Sequence, residues 1–309
     1  MQLFSGSLRA LSLAGILSGS LSMAQSVQVC SYNVFILGNE TSSYSDVQGS
    51  AAIGGNASFT GYSIGQSQPN NSAVYNLVVG GTLNFSSGQV NNGSVAAGGN
   101  ITLSSATIFG NVVSGGTVSL NNGQINGSVS QNQPNPLPVN FGYAASFLQN
   151  TSTLYSAQPV NGQTVSQYGG LYLTGTNPVL NVFFVSGSVL ANVWGVQLTV
   201  PPGSSVLINV DGTSDKLPNG GFNYSGVTAS QVLYNFYQAT SLNIGGDQGT
   251  ILAPFANITF PYGVATGTII GASLTGNGQT NLATFTGQLP QPASNGTFCN
   301  DQPSGGGRQ

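Results

Sequence analysis

The chain has 309 residues, of which 3% are charged and none is histidine; its formal net charge is -3, and 39% of it is hydrophobic. A typical soluble domain carries about a quarter charged residues. The near absence of lysine and arginine argues against the phosphate contacts of a nucleic-acid binder, and the lack of histidine excludes a Ser-His-Asp triad and the usual zinc sites.

In chain order, residues 1–24 read as a secretory signal: Arg9 gives a positive flank, Ala10 to Leu21 an apolar stretch, and Ser22-Met23-Ala24 small residues at a cleavage site. The stretch is too short and too rich in Ser and Gly for a membrane span. A mature chain beginning at Gln25 is expected outside the cell. Cys30 and Cys299, an even pair near its two ends, are expected to form a disulfide.

Residues 34–65 carry Gly54-Gly55 after Ala51-Ala52-Ile53 and read as a first rung with a longer insertion, Asp46 pinning the turn that leads into it. Between residues 78 and 129 the pattern repeats. Gly80-Gly81, Gly98-Gly99 and Gly115-Gly116 lie 18 and then 17 residues apart, each pair leading into an alternating run such as Thr117-Val118-Ser119-Leu120. Alternation predicts strands, and Asn92-Gly93, Gly110-Asn111 and Asn126-Gly127 predict corners. A unit this short leaves no room for a strand and a helix. It suits one turn of a β-solenoid (β-helix) with three short sides. Rungs stack like on like about 4.8 Å apart, so a column of identical charges would repel along its length, whereas Asn, Ser and Thr stack without penalty.

Pro134, Pro136 and Pro138 forbid helix and central strand and mark a connector. Over residues 139–157, Phe141, Ala144, Ala145, Leu148 and Tyr155 fall at helical spacing and predict one α-helix lying on the solenoid's flank, apolar face inward. Strand and corner signals resume at Leu171. The expectation is all-β: one solenoid domain over 25–300, with rungs in 34–131 and 168–290, and a flexible tail over 301–309.

Eleven Asn-x-Ser/Thr triplets offer glycosylation candidates: Asn39, Asn56, Asn70, Asn84, Asn92, Asn100, Asn126, Asn150, Asn223, Asn257 and Asn295.

Val34, Phe35, Leu37, Gly38, Ser45, Asp46, Val47, Gly49, Ala51, Ala52, Gly54 and Gly55 fit the pattern VFxLG…SDVxGxAAxGG. Residues 232–290 fit NFxxAtxLxI…GTxLAPxAxxt…GxxxGxxltGxG, closing on Phe285-Thr286-Gly287-Gln288-Leu289-Pro290. In these blocks the chain resembles the choice-of-anchor A family of secreted and surface proteins. The resemblance implies an adhesive module without a catalytic residue set. Two departures stand out: Phe255 replaces a small polar residue, and the tail after Cys299 shows no sorting motif.

Chemistry is sparse. The acids after the signal are Glu40, Asp46, Asp211, Asp215, Asp247 and Asp301, and the bases Lys216 and Arg308. The closest cluster, Asp211 to Lys216, reads as a solvent-exposed turn, with calcium binding the competing reading. The leading expectation is therefore a non-catalytic extracellular adhesive that binds a cell-wall, matrix or polysaccharide surface, with no cofactor or metal, no nucleic acid, no membrane span, and scope for self-association at an end rung. Tyr234, Tyr237 and Trp194 are the candidate aromatic ligand contacts. Ice- or crystal-surface binding is the alternative, with Thr174-Gly-Thr176, Thr266-Gly-Thr268 and Thr284-Phe-Thr286 as its widely separated threonine pairs. A glycan-cleaving solenoid enzyme using Asp211 and Asp215 is a third.

Overall fold

The structure, a computed structural model, describes residues 29–292. The signal segment, Asn295, Cys299 and the tail lie outside the described residues.

The repeats form a three-sided parallel solenoid. In the first half, side one is built from Val34–Ile36, Ala51–Ile53, Tyr75–Val79, Ser94–Ala97, Val112–Ser114 and Val129–Ser130. Side two takes Glu40–Ser43, Ala57–Thr60, Leu83–Ser86, Ile101–Ser104 and Val118–Asn121; side three takes two-residue strands from Asp46–Val47 to Gln124–Ile125. Neighbouring rungs keep the register of the glycine doublets: Ile53 pairs with Val79, Val79 with Ala97, and Ala97 with Ser114. Inward residues at this register make the dry core, among them Ile53, Val79 and Ala97 on side one and Phe59, Phe85 and Leu103 on side two. Residues 65–74 are the insertion that lengthens the second rung.

Rung order differs from chain order. Val34–Ile36 pairs with Ala51–Ile53 on one edge and, on the other, with Ile269–Gly276, so the first rung of the sequence sits in the middle of the stack. From there the chain climbs outward to Val129–Ser130. It then crosses to the opposite end and climbs back through Leu180–Ser186, Ser205–Asp211, Val232–Phe236 and Thr250–Phe260. Asn33 bonds through Nδ2 to Gly267 O and Asn281 O, and Ser43 Oγ donates to Asn277 Oδ1 at 2.8 Å, which ties the two halves along this seam.

Helix α1 (Phe141–Ser156) spans the two halves on the outside of side one. Asn140 Oδ1 caps it by accepting from Tyr143 N at 3.0 Å. Its buried stripe is Ala144, Phe147, Leu148, Thr151, Ser152 and Tyr155, against the outward Phe35, Ala52, Val78, Leu207, Leu233, Leu252 and Ile270. Under the helix side one is thus buried on both surfaces, which is why its strands there read VFI, AAI and LVV instead of alternating. Under the helix, Asn235 Nδ2 donates to Ser152 O (2.9 Å) and Asn209 Oδ1 (2.8 Å), while Asn209 Nδ2 donates to Tyr155 O (2.8 Å).

The far end adds two elements that the sequence pattern did not signal. A one-turn helix α2 (Gly187–Leu190) replaces a side-two strand; Gly187 N donates to Asp211 Oδ1 at 2.9 Å, and a Cβ at Gly187 would overlap the Asp215 carboxylate. Gln163–Gln167 runs antiparallel to Gly170–Thr174 at that end of the stack.

Candidate functional site

Side one is covered by α1 over its middle strands, and side three is built from short strands in two separate sheets. Side two is open. Nine of its strands stack in unbroken register, from Ser214–Lys216 through Ser241–Asn243, Thr250–Phe260, Ile269–Gly276 and Glu40–Ser43 to Val118–Asn121. At strand spacing they span about 38 Å.

Each strand presents a polar residue, an inward residue and a second polar residue, so the outer surface carries two parallel columns. One reads Ser214, Ser241, Asn257, Ser273, Asn39, Asn56, Thr82, Asn100, Thr117. The other, set by the same registers, reads Lys216, Asn243, Thr259, Thr275, Thr41, Ser58, Asn84, Thr102, Ser119. Its only charge, Lys216, lies at one end.

Asparagine orders the first column. Asn39 Oδ1 accepts from Asn56 N and Asn56 Oδ1 from Thr82 N, each at 2.8 Å; Asn100 Oδ1 accepts from Thr117 N at 2.9 Å, and Asn257 Oδ1 from Ser273 Oγ at 2.7 Å. These contacts hold the side chains in place before any partner arrives. In the second column Thr259, Thr275 and Thr41 are consecutive and exposed, although they come from residues 259, 275 and 41 of the chain. Tyr44, 77% exposed at φ 53°, packs its ring over Gly61 at the edge of this face, in the rung of Thr41.

The family model described as "Putative Ice-binding-like adhesive domain" matches residues 28–282. The chain belongs to this family of ice-binding-like adhesive domains. Among solved structures it is similar to an ice-binding protein from the Antarctic ascomycete Antarctomyces psychrotrophicus, at 16% identity over 63% of this chain and 94% of the other, with a TM-score of 0.26. No curated protein matches it.

The side-two array gives four of the triplets in this ice-binding-like adhesive domain a structural origin. Asn39-Glu-Thr41, Asn56-Ala-Ser58, Asn100-Ile-Thr102 and Asn257-Ile-Thr259 each place an asparagine in the first column and a hydroxyl in the second. Asn84 lies in the second column itself. Of the rest, Asn92 sits at a corner with φ 57°, and Asn70, Asn126, Asn150 and Asn223 are exposed.

The aromatic candidates separate. Trp194 is 54% exposed, and Tyr237 is half-buried. Tyr234 is fully buried, its hydroxyl 2.7 Å from that of Tyr224, so the expectation that it meets a ligand is corrected: its strand, Val232–Phe236, is buried on both surfaces.

The acids are scattered and mostly inside. Glu40 points into the core between Ala57 and Leu274, and burial pushes its carboxyl up to about 7 although Ser42 Oγ donates to Oε1 at 2.8 Å. Asp215 is buried, so the exposed turn expected at 211–216 is corrected; desolvation, then the neighbouring charge of Asp211, pushes it up to about 6. Gly187 and Gly212 close tightly on its Oδ1, a packed arrangement unlike an ion-sized cage. Asp46 is raised by burial, against a hydrogen bond with Gln66.

A cleft of about 310 Å³ opens on side three where Phe222–Ser225 and Asp247–Gln248 belong to separate sheets. The one acid in its lining is Asp247, whose carboxyl burial holds well above the usual range. A glycosidase uses two carboxylates. Among the described residues no three His, Cys, Asp or Glu side chains converge, and no helix is long and apolar enough to cross a membrane.

Proposed function

We propose that the protein is a secreted, non-catalytic adhesive whose side-two face binds a neutral, repeating, hydroxyl-rich surface, a cell-wall or matrix polysaccharide. The observation that carries this reading is the nine-strand, two-column array of outward-facing side chains, all Asn, Ser or Thr except Lys216 at one end. Each contact is weak. Many contacts at one spacing act together, and overall attachment rises by orders of magnitude over a single site. With no charge along most of the face, attachment is insensitive to ionic strength.

The test is co-sedimentation of the mature protein with insoluble chitin, cellulose and β-glucan at low and at molar salt. Binding should be equal at both, and Thr41→Lys with Thr275→Lys, which stacks two cations about one strand spacing apart, should weaken it roughly tenfold or more. Loss of wild-type binding at molar salt would overturn the reading.

Ice binding is favoured by one specific observation, the consecutive Thr259, Thr275 and Thr41, and by the family's ice-binding-like character. The pairs singled out along the chain, such as Thr174-Gly-Thr176, supply none of these three. Thermal hysteresis that disappears in the same double variant would select ice over polysaccharide.

The choice-of-anchor A resemblance is supported by where its motifs fall: the blocks at residues 34–65 and 232–290 meet at the mid-stack seam, where Val34 pairs with Ile269. Secretion rests on the signal-like residues 1–24. Cys30 packs against the helix-side core, where a bond to Cys299 would clasp the two chain ends. Asn39 and Asn56, one strand spacing apart, leave no room for two adjacent glycans; glycans suit Asn70 and Asn150, away from the face.

A further inference from the structure

The chain's single tryptophan stands in the far half, at the corner between α2 and the side-three strand Val196–Thr199. There Leu171, Val196 and Phe222 pair in register, which aligns Gly170, Gly195 and Gly221 in a column. The indole lies across this glycine backbone. A Cβ added at Gly170 would stand 3.0 Å from Trp194 Cζ2, one at Gly169 3.2 Å from Cδ1, and one at Gly221 3.2 Å from Cε3. Trp194 Nε1 donates to Tyr168 O at 3.2 Å, which fixes the ring's rotation. The ring is thus seated against backbone while just over half of the residue faces solvent.

Two tyrosines flank it. Tyr168 is 91% exposed at φ 50°, the left-handed conformation that the two-residue hairpin loop Tyr168-Gly169 between Gln167 and Gly170 requires. Tyr172 is half-buried, and a Cβ at Gly170 would lie 3.2 Å from its Cε2. Gln197 and Asn223 occupy the register positions beside Tyr172. No charged residue occurs from residue 47 through residue 210.

An aromatic ring held this rigidly in the open presents a pre-ordered flat face to a partner. Without charge, the patch offers nothing to anions or cations beyond the ring faces themselves. It is also small: a stable protein interface needs about 800 Å² and 20–30 residues a side. A single sugar ring matches the scale, its C–H face against the indole and its hydroxyls toward amide side chains. We propose that Trp194, flanked by Tyr168 and Tyr172, is a stacking subsite for one pyranose ring of a neutral oligosaccharide, separate from the side-two array. The ligand class rests on the polysaccharide reading above; the site does not depend on side two.

Because Trp194 is the only tryptophan, its fluorescence reports this site alone. Titration of the mature protein with soluble chito- and cello-oligosaccharides should give a saturable emission shift. Tyr168→Ala, which keeps the fluorophore, should weaken the apparent affinity severalfold, and Trp194→Ala should lower calorimetric affinity at least tenfold. A non-saturating response, or Trp194→Ala binding as wild type does, overturns the subsite. If emission is unchanged while the protein still sediments with polysaccharide, the subsite falls and the side-two reading stands; if neither binds, both fall. Should Trp194→Ala fail to fold, the Tyr168→Ala titration decides.

Discussion

Between about pH 4.5 and about pH 8 the melting temperature should fall by roughly 10 °C, the reverse of the usual acid sensitivity of proteins with paired carboxylates. The cause lies in Glu40. Its ordinary value of 4.5 rises to about 7 in the folded chain because burial desolvates the carboxylate, against a hydrogen bond from Ser42 that lowers it. Below pH 4.5 the group is protonated in both states and costs nothing. As pH rises toward 7 the unfolded chain ionises first and the folded state loses relative stability, by about 3 kcal/mol for a shift of this size. In a domain this large each kcal/mol moves the midpoint by about 2–4 °C. Asp215, raised to about 6, and Asp247, raised by burial, act in the same direction. Glu40→Gln should recover most of the loss at the alkaline end and leave the acid end unchanged. Thermal melts followed by circular dichroism decide it: a midpoint that climbs with pH, or a Gln variant less stable than wild type at about pH 8, would rule the account out.

Much of the fold is legible because its period is local. Gly-Gly pairs, alternation and Asn-Gly corners recur within one rung, so they show in any window of about twenty residues. The helix is legible for the same reason, through Ala144, Leu148 and Tyr155, with Phe147 added to its buried stripe by the structure. What escaped is long-range. Nothing in Val34–Ile36 tells that its second neighbour is Ile269–Gly276, and the column of Thr259, Thr275 and Thr41 depends on that pairing. The seat of Trp194 escaped likewise, since Gly170, Gly195 and Gly221 align only after three strands pair. Glu40 alternates like any strand residue, but its parity puts it inside; Asn39 and Thr41, both exposed on either side of it, carried the signal.

Gly98→Ala should cost about 3 kcal/mol or more, although this glycine's backbone is one any residue can adopt. Gly80, Gly98 and Gly115 are not among the positions with positive φ. They are glycine because a Cβ at each would fall inside the carbonyl oxygen of the rung below: Gly54 O for Gly80, Gly80 O for Gly98 and Gly98 O for Gly115. The rung cannot lift away freely, since Gly98 N donates to Val79 O at 2.8 Å and Gly99 N to Gly81 O at 2.9 Å. A solenoid is stabilised through nearest-neighbour stacking, so the displacement breaks contacts with both adjoining rungs. Gly203 supplies the contrast. It has φ 76° and open space around its missing side chain, so Gly203→Ala should lose only about 1 kcal/mol, through strain alone. Denaturant unfolding of the two variants separates the effects: the doublet glycine should lose about three times what the loop glycine loses, and equal losses would mean that conformational freedom, not close approach, fixes the doublets.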